Sequence, residues 1–269
     1  MDTFAIAIII LILIIAGFLI GTISSIVGIG GGAFYIIIMM ILLVMPIDGA
    51  RDTSAFIILL FSGVGLITSL KQKKVDIKLS LLLASFALLG GITATILLIL
   101  FPMDNLNLKI VIASVVLVSG LNMIRKALKS LKISRVDGKD FELDFSFKTF
   151  DYKPNLIKGF PIFFIAGFVA YISGIGGGLL FVPILSMLFG IPIHYATAMS
   201  TAIIFFNGIY NATVRIFVGD IVYLTGILIG IGAIVGSICG SKISGKMSKS
   251  YLQFFISIIL IGLAIRMYF

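Results

Sequence analysis

Of 269 residues, 60% are hydrophobic and 12% charged, with a mean hydropathy of +1.26. A soluble domain carries about a quarter of its residues as charges, so the composition excludes a soluble enzyme or binding module and implies a membrane protein. The formal net charge of +9 does not indicate nucleic acid, because the basic residues gather in three stretches beside apolar runs. These are Lys71, Lys73, Lys74 and Lys78, then 125–158, then Lys242, Lys246 and Lys249, the distribution of cytoplasmic loops.

In chain order, apolar runs predict helices over 4–27, 33–45, 53–70, 78–101, 106–124, 157–173, 179–190, 196–217, 220–240 and 251–268. Crossing hydrocarbon takes about 20 residues, so 33–45 and 179–190 are too short to span alone. The first run follows Met-Asp-Thr, not a basic segment, and is expected to be a permanent span instead of a cleaved signal. With Trp absent, interfacial anchoring falls to Tyr, Lys and Arg. The charged stretch 126–156 reads as a cytoplasmic linker. Within it Phe141, Leu143, Phe145 and Phe147 alternate with polar residues, which predicts a short half-buried strand. The lone Cys239 excludes an internal disulfide framework.

The chain repeats itself at an offset of 146: Gly28-Ile29-Gly30-Gly31-Gly32 recurs as Gly174-Ile175-Gly176-Gly177-Gly178, and Pro46-Ile47 as Pro192-Ile193. Ala50 falls on Ala196 and Ser54 on Ser200. With small gaps, Val75-Asp76-Ile77 matches Gly219-Asp220-Ile221, and Gly120-Leu121 matches Gly262-Leu263. Such a period marks duplication, with a first membrane repeat at 1–125 and a second at 157–269. Each half holds five helices, so if all five cross, the second half is inverted. All three basic stretches then fall on one side, as the positive-inside tendency requires. The other side receives sparse loops with Asp48, Arg51, Asp52, Asp104 and Asp220. A parallel eight-span duplication with re-entrant glycine segments would put one basic stretch outside. The expected fold class is therefore an all-α integral membrane protein of two homologous halves, inverted repeats with 8–10 transmembrane helices and glycine-rich breaks.

Backbone polar groups cannot go unpaired in lipid, so a glycine break at membrane depth faces protein or a watery cavity. The helix that follows presents free N–H groups and the positive end of its dipole, a setting for anions. Paired breaks in corresponding positions point to a transporter's substrate site, although close helix packing also uses small residues. The candidate site is Gly28, Gly30, Gly31, Gly32, Gly174, Gly176, Gly177 and Gly178, with Ser25, Ser173, Thr53, Ser54, Ser200, Thr201 and Asn207 as polar contacts. Ser24 also precedes the first cluster. Asn207, Asn211 and Arg215 share a helix face. Arg215 is the candidate cation, with snorkelling to a helix end as the competing reading. Asp52 and Arg51 are expected in a solvated loop, where they could pair, and Asp76 and Asp220 as matched helix caps. The single histidine, His194, lacks metal-binding partners in the sequence, and no metal or cofactor is expected. No acidic residue falls in the middle of a predicted span.

The order Gly-Ile-Gly-Gly-Gly, short helix, Pro, then Thr-Ser resembles the sulfite exporter TauE/SafE family of membrane permeases. Gly174-Ile-Gly-Gly-Gly-Leu-Leu-Phe-Val-Pro183, Ile191-Pro-Ile-His-Tyr-Ala196 and Ser200-Thr201 carry it in the second half. Gly28 to Gly32, Pro46, Ala50 and Thr53-Ser54 carry it in the first. Ile37 stands where Pro183 would repeat, and Met199-Ser200 where Thr53-Ser54 would. The resemblance implies a multi-pass protein of the cell membrane that exports sulfite, sulfonates or related organosulfur anions. Its partners would be a small anionic substrate and membrane lipid, not nucleic acid, with homo-oligomerisation left open. An anion channel, a membrane-embedded enzyme and a membrane scaffold are the alternatives. The sequence lacks a nucleotide-binding P-loop, which excludes ATP-driven transport by this chain alone.

Overall fold

The computed structural model describes residues 3–134 and 153–243 and parts of 254–265, and the described residues contain helices and no strands. The helices are α1 (Thr3–Val27), α2 (Gly32–Leu42), α3 (Ile47–Lys71), α4 (Ile77–Leu100), α5 (Asn105–Ser134), α6 (Lys153–Ser173), α7 (Gly178–Met187), α8 (Ile193–Val218) and α9 (Tyr223–Ile243). Seven are long and apolar enough to cross a membrane, while α2 and α7 are short. The strand expected over 141–147, the basic residues Lys246 and Lys249 and most of the helix expected over 251–268 lie outside the described residues.

Two boundaries differ from expectation in a way that matters. α3 begins at Ile47 and α8 at Ile193, each directly after a proline, Pro46 and Pro192. The fixed φ of that proline sets the turn into the helix. Asp48, Arg51 and Asp52 therefore lie in a helix and not in a loop. The starts of α2 and α7, α3 and α8, and α4 and α9 all keep the offset of 146 without a gap. Asp76 caps α4 by accepting from the Leu79 N–H at 3.1 Å. Its positional equivalent before α9 is Val222, so Asp220 is not a matched cap.

Each short helix opens from left-handed glycines, Gly30 and Gly31 at φ +79° and +72°, Gly176 and Gly177 at +82° and +77°. A side chain there would be strained. Each closes on the same C-terminal motif, in which the Met45 N–H donates to Met39 C=O (3.4 Å) and the Ile191 N–H to Leu185 C=O (3.2 Å). Such an ending needs a left-handed residue. Gly190 supplies it after α7 with φ +72°, and Val44 after α2 with φ +50°.

Packing is exchanged between halves. A Cβ on Gly21 would collide with the Ala233 backbone and one on Gly167 with the Ala87 backbone; Gly236 meets Phe18 as Gly90 meets Phe164. Every one of these contacts maps onto its partner at the same offset, which is the self-complementary pattern of a two-fold axis. α1 thus packs on α9 and α4 on α6 with backbones touching, the use of small residues expected in membranes. α3 and α8 cross at the centre. Asp52 meets Arg215 at one end, and Gly65 approaches Thr201 toward the other. The two equivalent helices therefore run in opposite directions, as inverted repeats require. Large apolar side chains such as Leu11, Leu19, Ile99 and Ile165 remain exposed on the outer helices, a surface suited to lipid.

Candidate functional site

The two glycine breaks meet at the pseudo-two-fold axis. A Cβ on Gly178 would lie 2.5 Å from the Ile29 carbonyl, and one on Gly32 would lie 2.5 Å from Ile175 C. Backbone passes against backbone, so only glycine fits. Ser54, fully buried, stands where its hydroxyl can donate to the carbonyls of both Gly32 (3.3 Å) and Gly174 (3.2 Å). Its equivalent, Ser200, donates to the Gly28 carbonyl at 3.4 Å. Each half thus ties down the other's break.

A small cavity of about 30 Å³ flanks the junction on either side. One is lined by Ala55, Ile58, Gly176, Ile204, Asn207 and Asn211, toward the C-terminal end of α8. The other is lined by Ser25, Gly65, Lys74, His194 and Thr201, toward the N-terminal end of α8. Ala55, Asn211 and Tyr171 of the first correspond at the repeat offset to Thr201, Gly65 and Ser25 of the second. The cavities are pseudo-equivalent and face opposite ends of the α3–α8 pair. Lys74 places the second beside the first basic stretch.

Beyond the first cavity sits a charge cluster. Arg215 is 4% exposed and Asp52 2% exposed, and the two form an ion pair. Arg215 Nε donates to Asn211 Oδ1 (3.0 Å) and Nη2 to the Tyr171 carbonyl (3.0 Å), while its guanidinium lies 4.8 Å from the Tyr171 ring centroid. Asp52 also accepts from Arg51 Nε (2.9 Å) and from the Asp220 N–H (3.1 Å). The buried carboxylate is therefore shared between two arginines and a turn N–H, as a buried charge requires. At the other end of the α3–α8 pair the equivalents of Asp52 and Arg215 are Ala198 and Ser69. The pair has no counterpart there.

The candidate residues thus separate into groups. The glycines with Ser54 and Ser200 form the junction. Ser25 and Thr201 line the second cavity, where Ser25 donates to the Ser237 carbonyl (3.1 Å) and Thr201 to the Thr197 carbonyl (3.1 Å). Asn207 lines the opposite cavity and donates back to the Ile203 carbonyl at 2.9 Å. Ser173 is buried and bonds within its own helix, to Val169 at 2.7 Å. Thr53 accepts from the Val222 N–H (3.0 Å) and so secures the α8–α9 turn. Arg215 is buried and donates from Nε, Nη1 and Nη2 to Asn211, Asp52 and the Tyr171 carbonyl. The sequence offered Arg51 as a partner for Asp52, a pairing that is present, but not Arg215, and it did not mark Tyr171. Arg215 lies 163 positions from Asp52 and 44 from Tyr171, so no local pattern marks either contact.

Duplicated helices broken by glycine, crossing in opposite senses with a cavity on either side, define the chain as a multi-pass membrane protein of transporter architecture. Residues 9–267 match the sulfite exporter TauE/SafE family, and the chain belongs to that family of membrane transporters. It is similar to a probable membrane transporter protein of Bacillus subtilis, YunE, with 24% identity covering 93% of this chain and 94% of the relative. It is also similar to a probable membrane transporter protein of Methanocaldococcus jannaschii, MJ0441, with 26% identity over 93% and 91% of the two chains. No solved structure matches the chain.

Proposed function

We propose that the chain exports a small sulfur oxyanion, sulfite or a short sulfonate, by rocking one half against the other about the glycine junction. The observation that carries this reading is the pair of pseudo-equivalent cavities on opposite sides of the junction. Two states of a duplicated fold exchange the roles of such cavities, which is the geometry of alternating access. The start of α2 and the start of α7 both lie at the junction, and their dipoles favour negative charge there. In this reading the Asp52–Arg215 pair is the outer closure, and the cavity that Lys74 and His194 line is the cytoplasmic mouth. That asymmetry supports loading from the cytoplasm and release outside. Arg215 serves in this reading as part of the outer gate and not as a direct ligand.

Thermal shifts of purified protein with sulfite, sulfoacetate, thiosulfate and chloride test it, since a ligand that prefers the native state raises Tm. A rise with a sulfur oxyanion beyond the chloride control, lost in Gly177→Leu, is the expected result. No rise with any of them removes the substrate assignment.

A further inference from the structure

A groove of about 390 Å³ lies away from the glycine junction, between α5, α6 and α7. Val118 on α5 and Ile162 and Ile165 on α6 line it and are 55%, 38% and 60% exposed. It therefore opens on the outer surface of the bundle. Its walls are apolar. Ser114 turns its hydroxyl to the Ile110 carbonyl of its own helix at 2.7 Å, and Ser119 is only 5% exposed. Both α5 and α6 are long and apolar enough to span, so the groove lies at hydrocarbon depth. An apolar hollow excludes water, and what fills it there is an acyl chain.

The rim of the groove distinguishes it from ordinary lipid contact. Lys158 precedes Ile162 by four residues and Ile165 by seven, and Arg125 follows Val118 by seven. Residues at those spacings share a helix face. At 1.5 Å per residue, Lys158 stands about 6 Å beyond Ile162 along α6, and Arg125 about 9 Å beyond Ser119 along α5. Those rises carry both cations past the top of the groove into the headgroup layer, about 5–8 Å deep on each side of the hydrocarbon. The stretch 126–156 that joins the two helix ends holds no run able to cross, so both stand on one side of the membrane. Both are exposed, and neither has an ion-pair partner among the described residues. Basic residues at helix ends also set topology. Any position on the helix serves that purpose, whereas these two fall on the stripes that line the groove. At the repeat offset Lys158 corresponds to Ile12, so the other half does not duplicate the rim.

We propose that this groove is a binding site for one anionic phospholipid, with an acyl chain against Val118, Ile162 and Ile165 and the phosphate between Arg125 and Lys158. A zwitterionic lipid offers the groove the same chain, but its own ammonium offsets the phosphate charge. Two basic residues at the headgroup favour the anionic lipid by about tenfold or more. The site is separate from the glycine junction and does not depend on which anion is transported.

The test is titration of the purified full chain in detergent with phosphatidylglycerol and with phosphatidylcholine of the same acyl chains. Native mass spectrometry counts the bound lipids, and melting curves report the stabilisation. Wild type should bind one phosphatidylglycerol about tenfold or more tighter than phosphatidylcholine, with the larger rise in Tm. Arg125→Gln with Lys158→Gln should abolish the difference and leave the unliganded Tm unchanged, since both side chains are exposed. Val118→Phe should weaken both lipids, because its ring occupies the groove from the exposed wall. Equal binding of the two lipids by wild type, or a preference that persists in the double variant, would overturn the proposal. So would phosphatidylglycerol binding that Val118→Phe leaves intact. If that variant instead changes the oligomeric mass with lipid binding intact, a second copy of the chain occupies the groove and the lipid site is wrong.

Discussion

Asp52 near the start of α3 and Arg215 near the end of α8, 163 positions apart, form a buried ion pair that has no equivalent at the other end of the same two helices. Breaking such a pair on one side strands a charge and costs about 3–5 kcal/mol. Asp52→Asn strands Arg215, whereas Arg51, which shares the same carboxylate, keeps Asp48 at 3.5 Å. Asp52→Asn and Arg215→Met alone are expected to lower Tm sharply. Asp52→Leu with Arg215→Met should recover much of the loss, since a packed apolar pair is often as stable as a buried ionic one. Melting curves of the two singles and the double decide this. An additive double would mean that the pair does not couple the helices.

The glycine junction makes a ranked prediction. Gly178→Ala drives a methyl into the Ile29 carbonyl, whereas Gly190→Ala meets nothing within 4 Å and suffers only from its φ of +72°. The second should cost about 1–2 kcal/mol, the left-handed penalty. The first should cost more, because backbone cannot yield as a side chain does. Equal melting temperatures for the two variants would show that the breaks do not touch.

Val44 is the converse case. It holds φ +50° with a side chain 84% exposed, at the position that Gly190 fills in the second half. Val44→Gly should stabilise by about 1 kcal/mol, the relief of left-handed strain less the added freedom of the unfolded chain. A lower Tm for this variant would contradict the strain.

Ser54 and Ser200 are equivalent in sequence but not in duty. One Ser54 hydroxyl lies within reach of a carbonyl from each half, while Ser200 serves the Gly28 carbonyl alone. Ser54→Ala should therefore lose more stability than Ser200→Ala, by about 1 kcal/mol. Chemical denaturation in detergent gives the comparison.

Much of this architecture is legible in the sequence, for local reasons. The glycine breaks, the two short helices and the prolines before α3 and α8 are each encoded by residues whose backbone preferences act in place. The offset between Gly28 and Gly174 holds through the helix starts, and the inserted gap that aligned Asp76 with Asp220 was unneeded. What sequence reasoning missed is non-local. Asp52 reads as a solvated loop residue that could pair with its neighbour Arg51; its second partner, Arg215, comes from the other repeat.

The most direct measurement is side-specific labelling of Thr201→Cys and Asn207→Cys, one in each cavity, in a Cys239→Ser background with a membrane-impermeant thiol reagent. The account predicts that Cys at 201 reacts only from the cytoplasmic side and Cys at 207 only from the other. Bisulfite should change the two reactivities in opposite directions. If both positions react from the same side, or both rise together when the anion is added, the two cavities are not alternate faces of one site and the transport mechanism proposed for this chain is wrong.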